Sequence, residues 1–156
     1  MPTHEGAPRG EGRRFALVIA RFNDFVTSRL RDGAVDCLLK HGTDAAHVDE
    51  IRVPGAFEIP LAARAAAGTG RYDAVICLGA VIRGETPHFD FVAGESARGI
   101  GRVSAETGVP AVFGVLTTDS ADQALARAGG TAGNKGWDAA LAAMEMAALL
   151  QRIRGN

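Results

Sequence analysis

Four short apolar runs, separated by longer segments with helical periodicity, are the feature that most constrains the fold of this chain. The runs are residues 15–20, 48–53, 74–81 and 111–116. Strands that alternate with helices in this way form a parallel sheet with helices packed against it. Because three of the runs are almost continuously apolar, we expect those strands to be covered on both faces. The pattern predicts an α/β fold, a three-layer α-β-α sandwich with a four-stranded parallel sheet and helices on both faces.

Five further segments carry the pattern of amphipathic helices. Apolar residues recur at steps of three and four in the first of them, and Ser120 with Gln123 forms a Ser-x-x-Gln capping box at the start of the fourth. The predicted helices span about residues 26–38, 57–67, 89–107, 120–128 and 136–153. Each follows one of the apolar runs or closes the chain, as helices that cover a parallel sheet must.

The last predicted helix is apolar on most of its circumference. One stripe consists of Trp137, Leu141, Met144 and Ala148, and the remaining surface carries Ala140, Ala143, Met146, Ala147 and Leu150. Such a helix needs cover on more than its core face, and in a small domain another subunit supplies it. We therefore expect a homo-oligomer. The alternative is that the alanines are only good helix formers on a solvent-exposed surface.

The composition indicates one globular domain. Hydrophobic residues make up 47% and charged residues 22% of the 156 residues, and no polar linker interrupts the middle of the chain. The net charge of −1 gives no reason to expect nucleic acid or a membrane surface as a partner. We expect a single domain over residues 15–156, preceded by a flexible N-terminal arm at 1–14 that is rich in charge, glycine and proline.

The cysteines and histidines do not have the spacing of a metal site. The residues concerned are Cys37, Cys77, His4, His41, His47 and His88. Each cysteine lies in an apolar run far from the other, which favours buried thiols in a reducing cytoplasm over a disulfide. The longest apolar run, 74–82, is far shorter than a bilayer requires. The sequence predicts a cytoplasmic protein without a bound metal.

Ligands of parallel α/β sheets bind beyond the carboxyl ends of the strands, and three unusual segments follow the first three runs. After the first run, Phe22 could stack on a flat heterocycle, or it is a stray exposed apolar residue. After the second run, Gly55 permits a tight turn before Glu58 at a helix start. The Glu58 carboxylate either interacts with the helix dipole or accepts hydrogen bonds from substrate hydroxyls.

Residues 79–88, after the third run, form the segment richest in candidate site residues. Thr86 suits the N-cap of the next helix, Pro87 its first position and His88 its first turn. The free amides of residues 84–86 there suit a phosphate group, and the same helix end disfavours a charged imidazole, so His88 could shuttle protons. Helix capping alone is the alternative role. Glu85 stands where a phosphate-binding P-loop has lysine, which argues against an NTPase.

Five segments together resemble the lumazine synthase family, from about residue 15 to residue 150. They are residues 21–23, 54–60, 79–90, 113–119 and 132–136. The resemblance implies a flavodoxin-like fold and a transferase of riboflavin biosynthesis that uses neither metal nor cofactor. In the family, 5-amino-6-(D-ribitylamino)uracil condenses with 3,4-dihydroxy-2-butanone 4-phosphate to give 6,7-dimethyl-8-ribityllumazine, phosphate and water.

The resemblance also implies a role for each candidate site residue. The residues implied to bind ribitylaminouracil are Phe22, Asn23, Ala56, Phe57, Glu58, Ala80, Val81, Ile82, Phe113 and Lys135. Those implied to bind butanone phosphate are Gly84, Glu85, Thr86 and Arg127, with His88 as the acid/base. The resemblance implies that Phe113 and Arg127 reach the site from an adjacent subunit of a pentamer, and that riboflavin synthase is a further partner. From the residues alone, Arg127 and Lys135 could instead pair with helix ends or surface acids.

Several alternatives stay open or fail on particular segments. A riboflavin synthase that dismutates two lumazines is disfavoured by the intact Gly-Ala-Phe-Glu and Gly-Glu-Thr-Pro-His segments. A flavodoxin-like electron carrier needs a phosphate loop rich in Ser, Thr and Gly after the first strand, where residues 21–24 read Arg-Phe-Asn-Asp. A paralogue that binds or stores flavin or lumazine stays open, because a slow enzyme can carry every site residue. Residues 129–132 lack the lysine frequent in shell-forming members, so free pentamer, decamer and icosahedral shell also stay open.

Overall fold

A parallel sheet of four strands forms the centre of the molecule, in a computed structural model that describes residues 1–155. The strands are β1 (Phe15–Ala20), β2 (Val48–Val53), β3 (Ala74–Ile82) and β4 (Ala111–Thr118). Their order is β2-β1-β3-β4, and all three neighbouring pairs are parallel. The predicted four-stranded parallel sheet is confirmed.

Helices cover both faces of this sheet. They are α1 (Asp24–Lys40), α2 (Ile59–Gly68), α3 (His88–Thr107), α4 (Ala121–Ala126) and α5 (Lys135–Arg154). Helices α1, α4 and α5 pack on one face and α2 and α3 on the other. A short hairpin of β5 (Ala128–Gly130) and β6 (Gly133–Asn134), which was not predicted, lies between α4 and α5. The predicted three-layer sandwich is confirmed.

Alternate residues of the two inner strands fill two separate cores. Leu17 and Ile76 face the core under α1 and α5, whereas Val18, Val75 and Cys77 face the core under α2 and α3. This alternation follows from the two-residue period of a strand. Since both faces are covered, strands β1 and β3 are buried along almost their whole length, as their continuous apolar sequences predict.

Helix α5 packs against its own chain over a face wider than the predicted stripe, whose Met144 is also fully buried. Ala140 and Ala143 are fully buried in the core shared with α1, whereas Trp137 and Leu141 are only partly buried. The prediction that these two alanines belong to a surface needing a second subunit is wrong. The alanines lie inward because small side chains allow α5 to approach α1 and β4 closely. The apolar surface left on α5 is smaller, with Met146 41% exposed.

The N-terminal residues 1–14 contain no helix or strand and run along α5. Arg13 Nη2 donates to Gln151 Oε1 at 2.7 Å, and Arg152 Nη1 donates to the carbonyl oxygen of Glu5 at 3.1 Å. Flexibility of this arm and a domain boundary at residue 15 stay predictions. The predicted domain ends at Asn156, which lies outside the described residues. Among the helices of residues 1–155, none is long and apolar enough to cross a membrane.

Both cysteines are buried free thiols, as predicted. Burial, together with the charges of Asp36 and Asp138, raises the pKa of the Cys37 thiol to about 11. Burial raises the pKa of the Cys77 thiol to about 12. Neither thiol therefore carries a charge at neutral pH.

Candidate active site

The loops after β1 and β2 form the first part of the candidate site. The amide of Phe22 donates to the carbonyl oxygen of Pro54 at 3.0 Å, which ties the two loops together. A Cβ placed on Gly55 would lie 3.6 Å from Glu58 Oε1 and 4.0 Å from Phe22 Cβ, so these two side chains flank the glycine. The Phe22 ring is 71% exposed. An open aromatic face thus stands beside a carboxylate.

Asn23 joins the β1 loop to the end of β3. Its Nδ2 donates to the carbonyl oxygen of Ala80 at 2.9 Å. Its backbone is left-handed, with φ 63°, a conformation that asparagine tolerates better than most residues. Asn23 directly precedes α1, and its side chain gives the helix no capping bond. The amide therefore fixes the position of the neighbouring Phe22 relative to β3.

The second loop enters α2 through a single 3-10 turn, Ala56–Glu58, rather than through the α-helix predicted from residue 57. Ala56 is buried, whereas Phe57 is 56% exposed and Glu58 is exposed. The Glu58 amide donates to the carbonyl oxygen of Gly55 at 3.2 Å, which closes the turn. Glu58 directly precedes α2. Its carboxylate is therefore placed both to interact with the helix dipole and to accept hydrogen bonds from a ligand.

Strand β3 leads into the exposed segment 83–87 and then into α3. Ala80 and Val81 are buried and Ile82 is half-buried, so only the last of them reaches the rim of the site. Gly84, Glu85, Thr86 and His88 are all exposed. The amides of residues 84–86 lie just before the N-terminus of a 20-residue helix, where the helix dipole is positive.

The start of α3 differs from the prediction by one residue. The helix begins at His88, and Pro87 occupies the capping position, so the prediction of Thr86 as N-cap is wrong. The Thr86 hydroxyl still accepts a long bond of 3.4 Å from the His88 amide. Pro87 has φ −70° and ψ 6°, which is close to helical geometry and explains the small shift.

A second group of candidate residues lines a separate cavity of about 360 Å³ on the outer side of β4. The residues around it are Phe113, Val115, Leu116, Thr117, Thr118, Arg127, Ala132, Lys135 and Asp138. The β5–β6 hairpin brings two cations together, since the amide of Lys135 donates to the carbonyl oxygen of Arg127 at 2.8 Å. Arg127 Nη1 also donates to the carbonyl oxygen of Gln123 at 2.9 Å.

Within one chain, Phe113 lies apart from the first group. Phe113 is paired with Cys77, five residues before Ile82, which places it roughly 16 Å back along the sheet from the end of β3. No residue of the first group lines the cavity around Phe113. Each chain therefore presents two groups of candidate residues, one at an open edge with the Phe22 ring and the start of α3, the other around a cavity with two cations and a half-buried phenyl ring.

One cation near the first group was not selected from the sequence. Arg83, directly after β3, pairs with Asp119 and Asp90. The only sequence signal was its place within segment 79–88. Among residues 1–155, no three His, Cys, Asp or Glu side chains lie close enough together to hold a metal ion.

A covered parallel sheet, with candidate binding loops at the carboxyl ends of its strands and a helix N-terminus beside them, is the architecture of an α/β enzyme domain. The family model for 6,7-dimethyl-8-ribityllumazine synthase matches residues 12–151. A protein of that name from Desulfatibacillum aliphaticivorans is 53% identical over 150 residues, which cover 96% of this chain and 97% of the relative. The chain belongs to the 6,7-dimethyl-8-ribityllumazine synthase family, and the resemblance found in the sequence is confirmed.

Proposed function

We propose that the protein condenses 5-amino-6-(D-ribitylamino)uracil with 3,4-dihydroxy-2-butanone 4-phosphate to 6,7-dimethyl-8-ribityllumazine, phosphate and water. The observation that carries the proposal is the match to the synthase family over residues 12–151, which spans every candidate site segment. The arrangement of exposed ring, carboxylate and helix start at one edge of the sheet supports it. Nothing favours the storage paralogue over this reaction.

The pyrimidine substrate fits the first group. The exposed ring of Phe22 offers a face on which a flat heterocycle stacks. Glu58, beside Gly55, accepts hydrogen bonds from ribityl hydroxyls, and Phe57 covers the chain. Ile82 forms the apolar rim against which the ring edge packs, and Ala80 and Val81 support it from the buried end of β3.

The phosphate of the second substrate fits the helix start. The amides of Gly84, Glu85 and Thr86 point hydrogen-bond donors at an anion, while the α3 dipole adds a positive field. Glu85 acts through its amide, because its carboxylate would repel a phosphate. Arg127 supplies the formal positive charge that backbone amides lack.

His88, at the start of α3, moves protons in the reaction. Imine formation, phosphate elimination and ring closure each need a proton added or removed near the phosphate-bearing carbon chain. A positioned acid/base contributes about 10²–10⁴ in rate, whereas alignment of two reactants is worth effective molarities of about 10⁵ M or more. We therefore expect a His88→Ala variant to be slower but still active.

Each active site is shared by two subunits of a pentamer in this proposal. The separation of the Phe113 cavity from the first group supports it, because Phe113, Arg127 and Lys135 then complete a neighbour's site. An apolar cleft of about 450 Å³, lined in part by Val112, Met146 and Leu150, offers a surface for subunit contact. Free pentamer, decamer and shell stay open, as does riboflavin synthase as a partner. We expect the reaction in the cytoplasm, in keeping with two free thiols.

The first experiment follows lumazine formation and phosphate release together, with the purified protein and both substrates. Enzyme-dependent appearance of the two products in equal amounts supports the proposal. A rate equal to the uncatalysed condensation, from a folded oligomer, contradicts it and favours a binding or storage role.

A complementation experiment tests the shared site. His88→Ala and Arg127→Ala subunits are refolded together in equal amounts, each variant alone being slow. In a random ring, about a quarter of the sites pair an intact His88 with an intact Arg127 from the next subunit, so activity returns to about a quarter of the wild-type level. Differently tagged subunits confirm mixing by mass. Mixed rings without restored activity would place both residues in one chain's site.

A further inference from the structure

Arg83 is the first residue after β3. It makes contacts at both ends of the segment that follows, residues 84–87. Its amide donates to the carbonyl oxygen of Thr118 at 2.9 Å, and its Nε donates to Asp119 Oδ1 at 3.0 Å. Its Nη1 lies 3.6 Å from Oδ1 of Asp90, in the first turn of α3. One guanidinium therefore connects the end of β4 with the start of α3, across residues 84–87.

The face of this guanidinium is also in contact with protein. The guanidinium carbon of Arg83 lies 4.3 Å from the ring centroid of Phe89, within the range of a cation–π contact. Phe89 in turn packs on the core under α2 and α3. Arg83 thus has a carboxylate on two edges and an aromatic ring on one face. This geometry suits arginine, since lysine has no planar fork to match.

The same contacts lead on to Arg127. The Asp119 amide donates to Gln123 Oε1 at 2.8 Å, and Arg127 Nη1 donates to the carbonyl oxygen of Gln123 at 2.9 Å. One network therefore links the Arg83 anchor to α4, which carries the cation of the second group. Both elements proposed to bind phosphate, which belong to two different sites of the proposed pentamer, are thereby tied to the end of β4.

We propose that Arg83 is a positioning residue, which orients the amides of residues 84–86 and His88 through Asp119 and Asp90 and does not itself contact substrate. The inference rests on the proposed function of this segment as the phosphate site. An exposed segment that contains glycine is costly to order, and it needs fixed ends if its amides are to converge on an anion. Arg83 supplies contacts at both ends.

The test compares Arg83→Gln and Asp119→Asn with a control, Arg102→Gln, which breaks an exposed pair of 3.3 Å with Glu106 on the same helix. Inorganic phosphate is titrated calorimetrically into each oligomer, and KM is measured for both substrates. We expect both site variants to weaken phosphate binding and raise KM for butanone phosphate by about tenfold, with KM for the pyrimidine changed by less than about twofold. We expect the Arg102→Gln control to keep the wild-type phosphate affinity and both wild-type KM values.

The two variants separate positioning from direct contact. If Arg83 positions the segment through Asp119 and Asp90, the double variant binds phosphate no worse than Arg83→Gln alone, and Arg83→Lys recovers only part of the loss. If Arg83 is a ligand, Asp119→Asn frees it, and phosphate binds as tightly as in the wild type or more tightly. That outcome overturns the inference, as does an equal rise in both KM values. Failure of the proposed function is distinct, because the wild type then makes no lumazine while the phosphate titration still tests Arg83.

Discussion

Replacing Gly136 with alanine should destabilise the protein, although alanine is the better helix former. Gly136 is the second residue of α5 and lies where this helix crosses α1. A Cβ at this position would lie 2.0 Å from the carbonyl oxygen of Leu30 and 2.7 Å from its carbonyl carbon. These are backbone atoms of a helix, so no side chain can rotate to make room. The two helices must move apart.

The size of the effect follows from that distance. Carbon–oxygen contacts in proteins lie at about 3.3 Å or more, so α1 and α5 must separate by more than about 1 Å near the crossing. Overpacking of this kind costs about 1–3 kcal/mol, whereas the gain in helix propensity is at most about 1 kcal/mol and smaller in a first turn. We expect a net loss of about 1–2 kcal/mol in the free energy of unfolding.

The assay is urea unfolding at a fixed protomer concentration, because the stability of an oligomer depends on concentration. Gly101→Ala is the matched control. Gly101 lies within α3, is exposed, and a Cβ there would meet nothing within 4 Å. We expect that variant to gain about 0.5–1 kcal/mol from helix propensity alone.

The essential result is that Gly136→Ala lowers the free energy of unfolding whereas Gly101→Ala raises it. A Gly136→Ala variant as stable as Gly101→Ala would refute the close approach of α1 and α5. That result would also contradict the assignment of the inward face of α5, because the burial of Ala140 and Ala143 depends on the same helix crossing.

Two further predictions concern the end of β1 and the edge of the sheet. Asn23→Asp replaces the donor to the carbonyl oxygen of Ala80 with a carboxylate that repels this oxygen, and it should lower kcat/KM for the pyrimidine about tenfold. Asn23→Gly also loses the donor, but it adds no charge and adopts the positive φ readily, so it should lose less. Equal losses in steady-state kinetics would contradict this. Burial raises the pKa of Glu50, but hydrogen bonds from Arg31 and Arg52 outweigh it and hold the pKa below its usual value. The stability from this carboxylate is present above about pH 4.3 and is lost as pH falls through the lowered pKa. Glu50→Gln should therefore narrow the difference between urea midpoints at about pH 6 and about pH 3.5, and an unchanged difference would argue against the linkage.

The sheet could be predicted because strands that are buried on both faces have continuously apolar sequences. Strands β1 and β3 show no polar alternation, and their ends fall close to the boundaries of the apolar runs. The loops of the candidate site then follow from one rule, that the carboxyl ends of parallel strands share an edge. Phe22, Gly55 and Glu58 meet there although more than 30 residues separate the first from the second.

The other features of the fold and of the candidate site depend on short interatomic distances that cannot be deduced from the sequence pattern. Alanine suits both an exposed helix surface and a close helix crossing, so the inward face of α5 could not be read from Ala140 or Ala143. The left-handed backbone of Asn23 has no pattern of its own. The contacts of Arg83 with Asp119 depend on β3 and β4 ending side by side, since Ile82 pairs with Thr118.

The burial of Cys37 and Cys77 makes the native protein suited to site-specific labelling. Thiol reagents attack the thiolate, and pKa values of about 11 and about 12 leave almost none of it at neutral pH. A single cysteine introduced on the surface would therefore take a fluorophore alone, with the natural pair left in place. In the unfolded chain both thiols return to a pKa near about 8.5 and react. The extent to which Cys37 and Cys77 are labelled, measured by mass, therefore shows how often the core opens.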